Sequence, residues 1–387
     1  MVTTAQIATL APKTDFLRVP DVAHLCAGGE TAILRSHSDA IERFFEGKSD
    51  GLAGRMEQTM GLLARTRQRA ADLFGVPARD MAFLSSSTDG INQLAAGLDW
   101  QIGDNIVVED IEFPSDIYPW ARLQDRGVEV RVVRQWGGDA SLARLADAVD
   151  GRTRVLSTSH VSYLTGRRYD LEQLATIAHD AGSLLCVDAT HATGVIPVEA
   201  RHADIVVSSC YKFLLGVHGA ALFYCNPERL SGLQPQQVGW NSAASSRGVQ
   251  DPTAFTPRPD ASRFEAANPP FLALAVLDNA LAYINAIGID RIAQHVLALG
   301  DLVWDALDAR GIRPISPRDP EQRGPNVCFL WPDPAQLTAQ MAERGVLIWG
   351  DNGRVRVSFH AYNDEADVER FLAALDDVMR EAGNVYA

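Results

Sequence analysis

The sequence predicts an α/β fold built on a largely parallel sheet, and three observations lead there. From about residue 81 onward, short apolar runs alternate with helical stretches. Most of those runs are apolar over most of their length, which marks strands buried on both faces. At 387 residues the chain is also long enough for a substantial core in more than one lobe. In order along the chain, residues 1–50 read as irregular and helical, with a loop at Gly28 and Gly29. Between 55 and 74, Met56, Met60, Leu63, Ala70, Leu73 and Phe74 recur at helical spacing, and Gly75 and Pro77 end the helix. Strands are expected at 81–84, 105–109, 129–133, 155–158, 184–188, 205–208 and 220–224, with helices at 89–98, 116–126, 142–149 and 171–181. In such a sheet ligands gather at the carboxyl ends of the strands, so the polar clusters that follow them are the places for chemistry. A Ser-, Pro- and Gln-rich stretch at 231–262 reads as a long loop, and 271–287 as a helix. Beyond 291 the units shorten, with strands at 327–330, 346–348 and 354–358 and a helix from 365. The expected organisation is an N-terminal segment (1–50) packing on both lobes, a large domain (51–287) and a smaller C-terminal α/β domain (288–387).

Composition excludes several function classes. A net charge of −14 opposes nonspecific binding to nucleic acid or an anionic membrane. No apolar stretch reaches the roughly 20 residues of a membrane helix, and the first residues lack the layout of a secretion signal, so a cytoplasmic protein is expected. Five cysteines, Cys26, Cys186, Cys210, Cys225 and Cys328, are scattered without CxxC spacing, which supports neither a zinc site nor a disulfide framework. Of 35 basic residues only Lys13, Lys48 and Lys212 are lysine. Lys212 alone sits between apolar runs, IVVSSCY and FLLG, where a solvated amine is out of place.

The run LLCVDATHATG puts Asp188 at a strand end, with His191 three residues on, and SSCYK ends a later strand. A strand-end acid is also an ordinary helix cap. Together, however, an acid and a lysine at adjacent strand ends meet the two needs of a pyridine cofactor. The carboxylate keeps the ring nitrogen protonated, and the amine forms an imine.

The residues HVSYLTG (160–166), VDATHATG (187–194), SSCYKFLLGVHG (208–219), SSSTDGIN (85–92), RFEAANP (263–269) and RVSFHAYN (356–363) resemble, in the expected order, the class V aminotransferases. That family includes cysteine desulfurases, isopenicillin N epimerase-like proteins and kynureninase relatives. The resemblance implies the pyridoxal 5'-phosphate (PLP) fold type I, with a large and a small α/β domain. It implies that Lys212 holds PLP as a Schiff base and moves protons at the substrate Cα, that Asp188 pairs with the pyridinium nitrogen, and that His191 bonds the cofactor's 3-oxygen. His191 also suits a satisfied core position. Ser87 and Thr88, which precede a predicted helix, would take the phosphate at the positive end of the helix dipole. Ser209 and Tyr211 match further phosphate donors. Asn268 matches a residue that reaches the phosphate from the neighbouring subunit, which implies a homodimer. Phe113 matches the residue stacked on the ring, although Phe is an ordinary core residue too. Arg356 matches the arginine that grips the substrate carboxylate with a bidentate fork, and Arg354 is expected on the opposite face of that strand.

Departures from the family narrow the reaction. Desulfurases carry a nucleophilic cysteine on a loop before the carboxylate-binding arginine, and here VLIWGDNGRVR is short and has none. Cys328 lies well upstream in an apparent strand. Phe113 stands where desulfurases stack histidine, and Tyr163, a candidate substrate contact or packing residue, stands where many relatives have asparagine. The leading expectation is an aminotransferase acting on an amino acid or related amine. Its alternative is a PLP-dependent lyase or epimerase, such as a C–S β-eliminating enzyme. A non-catalytic PLP-binding homologue fits poorly with the retention of Lys212, Asp188 and Arg356, and a nicotinamide dehydrogenase lacks its GxGxxG after an early strand.

Overall fold

A computed structural model describes residues 6–137, 141–244 and 253–385. The first five residues of the 1–50 segment, and 245–252 of the expected 231–262 loop, lie outside the described residues. A two-residue strand, β1 (Ala23–His24), comes first. Seven strands then form the main sheet: β2 (Met81–Leu84), β3 (Asn105–Glu109), β4 (Glu129–Val133), β5 (Thr153–Ser159), β6 (Leu184–Asp188), β7 (Ile205–Ser209) and β8 (Ala221–Cys225). Their order is β2-β8-β7-β6-β5-β3-β4. Only β8 runs against its neighbours; the other four pairings are parallel. Strands β3, β7 and β8 are buried at every residue, in keeping with the apolar stretches IVV, IVV and ALFYC within them, whereas β4 lies at the edge and is mostly uncovered. The chain steps outward from β3 to β4 and then crosses back to β5. That reversal opens a crevice at the carboxyl ends of β3 and β5.

Helices cover the sheet through single faces. In Leu171–Asp180, residues Leu171, Leu174, Ala175 and Ala178 are buried, and the Asp170 carboxylate caps the N-terminus by accepting from the N–H groups of Glu172 and Gln173. Three expected helices differ in detail. The one expected at 89–98 spans Ser87–Gly97, because the side chain of Ser86 is the cap and accepts from Asp89 N at 3.1 Å. Segment 116–126 is three short turns, Pro114–Asp116, Tyr118–Ala121 and Arg122–Arg126; Pro119, with no N–H to donate, restarts the helix there. Segment 55–74 contains a π-helical turn at Glu57–Leu62.

The C-terminal part adds β9 (Asn326–Leu330), β10 (Val346–Leu347), β11 (Trp349–Asp351) and β12 (Arg354–Ser358). An antiparallel sheet has the order β11-β12-β9, while β10 pairs with β1. Asn352 and Gly353, both with positive φ (47° and 75°), form the two-residue turn between β11 and β12. Val355 and Val357 of β12, paired with Phe329 and Val327, face the core. Arg354, Arg356 and Ser358 share the other face with Asn326 and Cys328. The expectation that Arg354 points away from Arg356 is therefore corrected: side chains alternate with a period of two, so residues two apart stand on one side.

The N-terminal segment touches both sheets' surroundings. β1 pairs with β10, and His37 Nε2 bonds the Leu215 carbonyl at 2.8 Å. No single described helix is long and apolar enough to cross a membrane; Phe271–Ile287 and Ile289–Ala309 meet such a test only jointly, across a 79° bend. Both pack their apolar faces into the core, through Leu274, Leu281, Val296 and Leu299 among others. All five cysteines are free and buried, and the described residues hold no cluster of metal-ligating side chains.

Candidate active site

A cavity of about 230 Å³ opens at the carboxyl ends of β2, β3, β5, β6 and β7. Ser87, Thr88, Phe113, Tyr163, Asp188, His191, Ser209, Tyr211 and Lys212, all singled out from the sequence, line it. Arg356 adjoins it, donating from Nη1 to the Tyr163 carbonyl at 2.9 Å. Asn268 stands elsewhere, exposed, with Oδ1 accepting from Arg55 Nη2 at 2.6 Å.

One end of the cavity is built from hydroxyls. Ser87 and Thr88 occupy the first turn of their helix, whose leading N–H groups have no partner within it. Ser209 Oγ donates to Ser87 Oγ at 3.0 Å, and Thr88 Oγ1 to Ser115 Oγ at 2.9 Å. Four hydroxyls and a helix start make a site for a phosphate-like dianion.

At the other end lies Asp188. Its Oδ1 accepts from Thr190 N at 2.7 Å, while the Thr190 hydroxyl accepts from Ser209 N at 3.0 Å and so ties the ends of β6 and β7 together. Burial pushes the Asp188 carboxyl above its ordinary range, against the pull of Thr190 and Lys212. Asp116, also lining the cavity, is held well above that range by burial, Asp188 and Glu112. Glu112 rises to about 8 by burial and the nearby Glu109. With a pKa near 8, Glu112 is largely protonated at neutral pH.

Lys212 stands between the two ends on a tightly held loop. Leu215 adopts a positive φ of 55°, and His360 Nε2 bonds the Phe213 carbonyl at 2.9 Å. Gly194 lets β6's following turn approach: its φ is 100°, and a Cβ there would lie 2.4 Å from Phe213 O. Burial, then the charge of Arg356, bring the Lys212 amine down to about 8, with Asp188, Asp116 and Glu30 acting the other way. Its Nζ lies 3.2 Å from His191 Nε2. Burial and the cations Lys212, Arg356 and Arg354 keep His191 well below its ordinary pKa, hence neutral. His191 Nδ1 is 3.1 Å from Asn326 Nδ2. With the amide donating, the ring proton sits on Nε2, facing Lys212.

Aromatic rings frame the open side. Phe113 is 43% exposed, with Lys212 Nζ 5.6 Å from its centroid and the Tyr163 ring edge-on at 5.2 Å, so one face is free to cover a flat ring. Tyr211 stacks on His218 at 3.9 Å. Arg356 is buried, lowered to about 10 by burial and by Arg354, and pairs with no carboxylate among the described residues. Cys328 lies directly across from Arg356 on β9, fully buried, its thiol raised by burial. Sequence reasoning missed Ser86, Ser115, Asp116, Thr190 and Asn326. Thr190 and Asp116 lie inside quoted or adjacent motifs and were within reach, whereas Asn326 carried no local signal.

An amine beside a buried acid, with a hydroxyl-lined helix start in the same cavity, suits a phosphorylated pyridine aldehyde. That is the chemistry of lysine-anchored PLP enzymes on this doubly covered sheet. The profile of the class V aminotransferases matches residues 30–371, and the chain belongs to that family, a PLP-dependent one. It is 27% identical over 337 residues to a probable cysteine desulfurase of Methanothermobacter thermautotrophicus (82% of this chain, 83% of the relative). It is 29% identical over 314 residues to the kynureninase of Pseudomonas fluorescens (76% and 73%). Among solved structures, the apo cysteine desulfurase of Thermococcus onnurineus superposes with a TM-score of 0.86 at 23% identity, covering 95% of this chain and 97% of that one. The cystine C–S lyase C-DES, in complex with its product cysteine persulfide, gives 0.84 at 21% identity, covering 92% and 98%.

Proposed function

We propose that the chain is an aminotransferase that moves an amino group from an amino acid or related amine, with Lys212 as the residue that holds PLP and carries protons at Cα. When bound, PLP supplies an electron sink for the charge left on Cα. Lys212, with a pKa near 8, holds comparable amounts of amine and ammonium in the physiological range and so can both take and return a proton. Asp188 would keep the ring nitrogen protonated, and the neutral His191 would donate from Nε2 to the 3-oxygen. Ser87, Thr88, Ser209 and Tyr211 would hold the phosphate, Phe113 the ring face, and Arg356 the α-carboxylate, with Tyr163 beside it. Asn268, exposed outside its own cavity, would complete the site of a partner in a homodimer. Five buried free cysteines accord with a cytoplasmic setting.

The observation that carries the choice of reaction is the two-residue turn at Asn352 and Gly353. It leaves no loop before Arg356 to bring a thiol to the substrate. Cys328 is walled in by the small sheet, and its raised pKa makes it a poor nucleophile. A second reading, C–S lyase chemistry without a protein thiol, is favoured by the likeness to the cystine lyase. Single-turnover mixing of the PLP-loaded protein with a panel of amino acids separates the two. Transamination predicts bleaching of the visible imine band with one keto acid formed per site and no ammonia. Release of ammonia and pyruvate from cystine without an acceptor would overturn it in favour of elimination.

A further inference from the structure

The face that the small sheet turns toward the cavity holds more buried hydrogen-bonding capacity than the chain uses. Arg354 is fully buried, and none of its Nε, Nη1 and Nη2 makes a hydrogen bond among the described residues. Its contacts are an approach of Nη2 to Asp351 Oδ1 at 3.1 Å and the Tyr163 ring, whose centroid lies 5.2 Å from Cζ. Two other buried arginines show what a structural guanidinium looks like in this protein. Arg323 donates to the carbonyls of Pro317, Arg318 and Leu297 and to Asp301. Arg263 donates from Nε, Nη1 and Nη2 to the carbonyls of Leu233, Asp260 and Leu230. Arg354 has no such set of acceptors, and burying a cation in that condition is costly.

Arg356, two residues on, shares the face. Its Nε also lacks a partner, as do Ser358 Oγ and Asn326 Oδ1. Residues two apart in a strand are separated by about 6.6 Å along it, and both guanidiniums reach Tyr163, one at its ring and one at its carbonyl. Asp351 is the one carboxylate within ion-pair distance of either among the described residues, and its second oxygen is taken by Trp349 Nε1 at 2.9 Å. Two buried cations facing a single carboxylate call for further negative charge.

We infer that Arg354 forms a second anion subsite beside Arg356, so that the preferred substrate is an amino acid with a second acid group, a carboxylate or sulfinate, on a short side chain. This rests on Arg356 taking the α-carboxylate and Lys212 the amino group. The test is a spectral titration of the PLP-loaded protein with aspartate, glutamate and cysteine sulfinate against asparagine, glutamine and alanine, in wild type, Arg354→Met and Arg354→Lys. Melting temperatures with and without glutarate or butyrate are measured alongside. Wild type should bind the acidic set about thirtyfold or more tightly than the neutral set, the scale of a buried charged hydrogen-bond pair. Glutarate should raise its melting temperature more than butyrate does. Arg354→Met should close both gaps, Arg354→Lys should narrow them, and Arg354→Met alone should melt no lower than wild type. Equal binding of acidic and neutral amino acids by wild type overturns the subsite while leaving the site reading intact. So does an Arg354→Met protein that melts several degrees lower, which would mark Arg354 as structural. If no amino acid of either set perturbs the spectrum, the reading of Lys212 and Arg356 fails and the subsite falls with it.

Discussion

The cavity has two walls of different character. Along the carboxyl edge of the main sheet, most polar groups answer one another, Ser209 with Ser87, Thr88 with Ser115, Thr190 with Asp188 and Ser209, and Asp116 Oδ2 is an exception. On the facing small sheet, Arg354, the Arg356 Nε, Ser358 Oγ and Asn326 Oδ1 are buried without hydrogen-bond partners among the described residues. A largely self-satisfied wall is preorganised to hold a cofactor in one pose. A wall of unmet polar groups, most of them donors, is instead completed by what arrives, the signature of a surface that selects a substrate. On the proposed reading, the first wall governs whether reaction occurs, and the second governs on what.

The largest test of this division is Lys212→Ala on the main-sheet wall, which should lower turnover about a thousandfold or more while circular dichroism stays native. A loss under tenfold would place the reactive amine elsewhere. Next, Arg356→Leu should reduce kcat/KM by about thirtyfold or more, chiefly through KM, and Arg356→Lys should restore little because the fork is lost. A fall confined to kcat would move Arg356 from selecting to reacting. Between the walls lies Asn326, which reaches across to His191. Asn326→Leu should cost about fivefold in kcat, the worth of one neutral hydrogen bond, and displace the pH midpoint of the imine band; an unmoved midpoint would make Asn326 mere packing. The smallest effect couples the walls through charge. Imine formation needs the neutral amine, so PLP uptake by the apo chain should rise with pH about a midpoint near 8 rather than near 10.5. Since Arg356 is the second cause of that lowering, Arg356→Leu should raise the midpoint; no movement would mean that burial alone sets it.

The main-sheet wall was legible in the sequence because apolar runs of strand length end abruptly in polar clusters, SSSTDG, DATH and SSCYK, and a parallel sheet lines up such ends. What failed there was local. Four successive hydroxyl residues offer four possible helix caps, and Ser86 was not separable from its neighbours. Segment 116–126 carries helical spacing, but Pro119 breaks it. The small-sheet wall was much less legible. The alternation RVRVS reads equally well as a solvated face, and Arg354 was expected on the wrong side of a strand whose period places it with Arg356. Asn326 contacts His191 across 135 positions, a proximity that only the folded chain creates. Asn268 is exposed in its own chain, and its expected role depends on a second copy.

Because only Lys13, Lys48 and Lys212 are lysine, the central claim has a direct test. The PLP-loaded protein is reduced with borohydride, digested, and its peptides weighed. The account predicts a reduced phosphopyridoxyl group on the peptide carrying Lys212 and on no other. Label on Lys13 or Lys48, or a protein that binds PLP yet shows no label at Lys212, would contradict it.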